Sequence, residues 1–65
     1  MITVSFEPEA GLKTFPRLNT ALQLLHKLDL KPTEVLIIRH GELLTPDRRL
    51  YPDDHITIRF VASRG

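Results

Sequence analysis

Strict polar–apolar alternation near both ends of the chain is the feature that most constrains its fold. Ile2-Thr3-Val4-Ser5-Phe6 puts Ile2, Val4 and Phe6 on one face of a strand and Thr3 and Ser5 on the other. His55-Ile56-Thr57-Ile58-Arg59-Phe60-Val61 repeats the pattern, with Ile56, Ile58 and Phe60 on one side and Thr57, Arg59 and Val61 on the other. Strands with one apolar face need a second layer to cover it.

One stretch can supply that layer. Asn19 to Leu28 reads as a helix, with Asn19 as the N-cap. At about 100° per residue, Leu18, Ala21, Leu22, Leu24, Leu25 and Leu28 share one arc of roughly 160°. Asn19, Thr20, Gln23, His26 and Lys27 fill the opposite side, and Lys31-Pro32 is expected to stop the helix. Between the helix and the last strand, the β-branched run Val35-Leu36-Ile37-Ile38-Arg39 predicts another strand. His40-Gly41 then suits a tight hairpin turn, because glycine accepts positive φ freely and histidine is among the other residues that visit that region. Glu42 to Thr45 would be a short return strand, and Leu12 to Phe15 would pair with the first strand after the Glu7–Gly11 turn. The order predicts a two-layer α+β domain over 1–61, one helix across a mixed sheet of 4–5 strands, with 62–65 as a flexible, small and polar tail.

Composition narrows the possible functions. The 65 residues make at most one domain, too small to shield a deep catalytic pocket. The absence of cysteine excludes a disulfide scaffold, a thiolate metal site and a cysteine nucleophile, and fits a reducing compartment. Met1 leads straight into a strand pattern, and the longest apolar run, Val35 to Ile38, is far too short for a membrane span, so the expected location is cytoplasmic. A net charge of +1 provides no strong field for nucleic acid or a membrane surface.

Several short segments carry a family resemblance. Leu24-Leu25-His26-Lys27-Leu28, the strand-turn Val35–Gly41, the segment Leu50–Ile58 and the closing glycine together resemble the sulfur-carrier branch of the ubiquitin-like proteins, the ThiS/MoaD type. These carriers serve thiamine synthesis, molybdopterin synthesis and tRNA thiolation. Three positions depart from the family pattern. His40 stands where the family usually has Asn, Asp53 replaces a Gly, and Arg64-Gly65 replaces the terminal Gly-Gly. The resemblance implies a β-grasp fold with its first and last strands paired in parallel. It also implies a non-enzymatic role in which an E1-like adenylating enzyme uses ATP to activate the Gly65 carboxylate. Sulfur then replaces the AMP, and a synthase or transferase accepts it. No cofactor, nucleic acid or membrane is implied. Ala62, Ser63 and Arg64 would form the tail entering the partner, and four extended residues reach about 13 Å. The small side chains help threading, and Arg64 opposes it sterically.

The remaining candidates are weaker. The three histidines have no helical i, i+4 ligand spacing, so no metal site is expected. Turn formation after Pro52 explains Asp53-Asp54 more simply than acid/base chemistry does. If Leu36 and Ile38 face the helix, then Ile37 and Arg39 share the open sheet face with Thr57, Arg59 and Val61. That mixed apolar and charged surface would suit a protein partner. The alternative function is a non-catalytic β-grasp interaction module whose tail is inert.

Overall fold

The computed structural model describes residues 1–7 and 11–61. In chain order the elements are β1 (Ile2–Glu7), β2 (Leu12–Phe15), α1 (Ala21–Leu28), β3 (Val35–Arg39), β4 (Glu42–Leu44) and β5 (His55–Phe60). The strands form one five-stranded sheet in the order β2-β1-β5-β3-β4. β1 and β5 pair in parallel at its centre, and every other pair is antiparallel. One helix packed on this mixed sheet is the β-grasp arrangement. The first and last strands are neighbours, as the resemblance implies.

The alternation sorts β1 and β5 as expected except at Phe60, which is 44% exposed rather than in the core. Ile2, Val4, Ile56 and Ile58 are buried and meet Leu24, Leu25 and Ala21 of α1 in the core. Phe6 is half-buried at one end of this core and stacks on Phe60 with ring centroids 6.4 Å apart. Leu22 departs from its expected place and is exposed. On the helical wheel it lies about 60° further round than Leu25, beyond the stripe that meets the sheet.

The helix ends at Leu28 as expected, but its N-terminus starts later and its stop signal is a different residue. Thr20, not Asn19, is the N-cap, with extended backbone angles and an Oγ1 that accepts the Gln23 backbone N–H. The Gln23 side-chain oxygen accepts the Asn19 N–H at 2.7 Å in return, a variant of the reciprocal capping box. The free N–H groups of the first turn are used as well. Ala21 donates to the Arg48 carbonyl and Leu22 to the Pro46 carbonyl. Leu50 N–H bonds the Asn19 carbonyl, and this pairing draws Leu50 into the core. At the other end Asp29 takes a left-handed conformation with φ 59°. Its N–H bonds the His26 carbonyl, and the Leu30 N–H bonds that of Leu25. This is the double-bonded Schellman termination. The helix therefore stops at Asp29, before Lys31-Pro32 can act.

The turn residues perform as read. His40 and Gly41 both have positive φ, 54° and 77°, and join β3 to β4 with Arg39 opposite Glu42. That two-residue loop matches the right-handed twist of its strands. Asp53, where the resembling family has Gly, adopts φ 65°. Thr45 Oγ1 donates to the Asp47 carboxylate and holds it below the usual carboxylate range.

Candidate partner-binding face

The side of the sheet away from α1 is the candidate functional surface, and strand register specifies its content. Ser5 lies beside Thr57, and Thr57 opposite Ile38. Ile38 in turn lies opposite Leu43. In the neighbouring row Glu7 lies beside Arg59, which lies opposite Leu36. The open face therefore carries an apolar strip of Leu36, Ile38 and Leu43 on β3 and β4. A polar centre of Ser5, His55 and Thr57 adjoins it. Leu36 and Ile38 are half-buried and Leu43 is 63% exposed. Arg59 lies at the rim, 3.9 Å from Glu7, in an exposed pair that contributes little to stability.

This corrects the expected phase of β3. Ile37 is 3% exposed and lies in the core with Val35, opposite Ile58 and Leu44. Leu36 and Ile38 take the open face instead. The run Val35–Ile38 is apolar on both sides, so alternation leaves its phase open, and pairing to β5 decides it. Thr57 and Arg59 are on the open face as expected. Val61 lies just past β5, exposed, with its N–H bonded to the Glu34 carbonyl at 3.1 Å.

Arg39 moves with Ile37 to the covered side. Its guanidinium donates to Asp54 Oδ2 at 2.9 Å and to the Arg49 carbonyl at 3.1 Å. It also stands 5.6 Å from the centre of the Tyr51 ring. Asp54 Oδ2 accepts the Tyr51 N–H at 2.8 Å as well. The charge pair is thus a clamp that holds the 49–54 loop against β3, with each side chain 13% exposed. Asp53-Asp54 belongs to this turn. Replacing Asp54 by alanine removes two bonds and leaves Arg39 without its counter-charge. A loss of about 1–3 kcal/mol is expected in a urea titration. A loss below about 0.5 kcal/mol would show that the clamp is only a surface pair.

The three histidines are far apart in role. His26 is exposed in the last turn of α1, and His40 forms the β3–β4 turn. His55 Nε2 lies 3.4 Å from Ser5 Oγ on the open face. Among the described residues no cluster of three or more His, Cys, Asp or Glu is arranged to hold a metal. No helix among them is long and apolar enough to cross a membrane.

Ala62, Ser63, Arg64 and Gly65, the expected tail and activation site, lie outside the described residues. The chain approaches them along β5, beside the Glu7 end of β1 and the Val35 end of β3. The apolar strip was missed in the sequence because its signal, a second set of apolar residues on β3, reads equally well in either phase. The chain matches no protein-family model, and no curated protein is detectably similar to it.

Proposed function

We propose that this chain is a sulfur carrier protein, serving thiamine-type cofactor synthesis or tRNA thiolation through the carboxylate of Gly65. The observation that carries the reading is the β-grasp topology, in which the central strand β5 precedes the segment Ala62-Ser63-Arg64-Gly65. A free carboxylate is a poor acyl donor, because its charge repels nucleophiles and oxide is a poor leaving group. On this reading the Gly65 carboxylate attacks the α-phosphorus of ATP in an adenylating partner and releases pyrophosphate. Sulfide then attacks the acyl carbon, displaces AMP and leaves a thiocarboxylate. Glycine suits that role because it presents no Cβ to obstruct either approach. The strip of Leu36, Ile38 and Leu43 offers the partner an apolar anchor beside the polar centre of the open face.

Intact-mass spectrometry of the protein from its native host, or reconstituted with the adenylating enzyme encoded nearest to it, tests the proposal. The expected product ends at Gly65 and carries one sulfur in place of one oxygen. Deleting Gly65 should abolish that product while leaving the thermal unfolding curve in place. Arg64→Gly should raise the rate of adenylation if the side chain obstructs threading, and lower it if the partner uses the charge. If neither the natural chain nor the Arg64→Gly variant is ever adenylated, the carrier reading fails. Arg64 favours a second reading, in which the tail is inert and the domain acts only by binding through its open face.

A further inference from the structure

A groove on the helix side of the molecule has a chemistry that the carrier reading does not use. Two shallow depressions adjoin there and share Arg17, Leu18 and Asn19. One extends along α1 past Gln23 to His26 and Lys27. The other extends to Arg49 and Tyr51, over the buried side chains of Ile2, Leu18 and Leu50. Among the described residues, Arg17, Lys27 and Arg49 line this track and no Asp or Glu does. Among the described residues these three cations are in no ion pair, while Arg39 and Arg59 are each paired with a carboxylate. Three of the cations without an ion pair among the described residues thus line one groove, whose floor is apolar at Ile2, Leu18 and Leu50.

We infer that this groove binds an extended acidic segment of a partner protein, in which apolar side chains are flanked by carboxylates. Guanidinium groups match carboxylates in bidentate geometry, and Arg17 and Arg49 line the depression whose floor is Ile2, Leu18 and Leu50. The floor accepts the apolar side chains and the rim accepts the charges. Nucleic acid fits less well, since it would leave the aliphatic floor unused. The ring of Tyr51 is already engaged by Arg39, and the low net charge provides little counterion release. None of the lining residues lies on the open sheet face, so this binding is independent of docking there.

The test is a titration of the isotope-labelled chain, followed by amide NMR, with a synthetic peptide of leucines flanked by glutamates. Saturable shifts are expected at Leu18, Asn19, Gln23, Leu50 and Tyr51. Affinity should fall about tenfold, which is about 1.4 kcal/mol, when glutamine replaces the peptide's glutamates or when the chain carries Arg17→Gln with Arg49→Gln. Both arginines are exposed, so the neutral variants should keep the fold, which the NMR spectrum itself reports. The inference is overturned by no saturation up to about 2 mM peptide, a weaker affinity than binding sites of this kind require. It is overturned equally by undiminished binding of the glutamine peptide, or by shifts confined to Leu36, Ile38 and Leu43. Tighter binding of oligothymidylate at the same residues would assign the groove to nucleic acid, and self-association of the chain through the groove would assign it to a second copy.

Discussion

Replacing Leu25 by alanine should remove about 2–5 kcal/mol of stability, the range for deleting a large aliphatic side chain from a packed core. Leu25 is fully buried, on the stripe of α1 that faces Ile2, Val4, Ile56 and Ile58. Its backbone carbonyl also accepts the helix-terminating bond from Leu30, so the helix cannot readily shift to fill the cavity. A chain of 65 residues has a total stability of only about 3–10 kcal/mol at the usual value per residue. The variant should therefore be largely unfolded at moderate temperature. Leu22→Ala on the same helix provides the contrast. Leu22 is 38% exposed, and its loss should stay below about 1 kcal/mol. Urea titrations of the pair decide the matter. Similar losses for the two variants would mean that α1 does not present the face described here.

The same helix shows where the sequence was sufficient and where it was not. The amphipathic stripe is written in residues spaced three and four apart, so the covered face of α1 was legible apart from Leu22 at its edge. The N-cap was not, because Asn19 and Thr20 are both good capping residues. The distinguishing signal was Gln23, three positions after Thr20, whose side chain completes the reciprocal cap. The stop at Asp29 was also hidden, since a left-handed aspartate is locally less obvious than a nearby proline. Strands β1 and β5 were legible because each has one apolar face. β3 has two, and its phase is a property of the assembled sheet. The Arg39–Asp54 clamp joins positions 15 apart, and the basic groove draws on α1 and two connecting segments. Neither is local, so neither could be read from spacing. The tail reading came from resemblance and stands on the experiment at Gly65.

Two adjacent isoleucines convert the corrected phase of β3 into a prediction with opposite outcomes. Ile37→Asp should unfold the domain. Ile37 is 3% exposed and lies between Ile58 and Leu44, with both neighbours buried. A carboxylate there would have to ionise without a partner or remain protonated and unsatisfied, and either state costs several kcal/mol. That is comparable with the entire stability of so small a domain. Ile38→Asp should leave the fold in place. Ile38 is half-buried on the open face between Thr57 and Leu43, where water reaches the new carboxylate. Its expected effect is on association. A charge at the centre of the strip formed with Leu36 and Leu43 would have to be desolvated against an apolar partner surface. Affinity for a partner docking there should fall by at least about tenfold, or about 1.4 kcal/mol. Circular dichroism and denaturant titration read the first arm, and binding to the adenylating enzyme reads the second. If Ile37→Asp folds and Ile38→Asp does not, the strand is in the opposite phase. If Ile38→Asp folds and binds the partner unchanged, the open face is not the docking surface, and the tail or another face must make the contact.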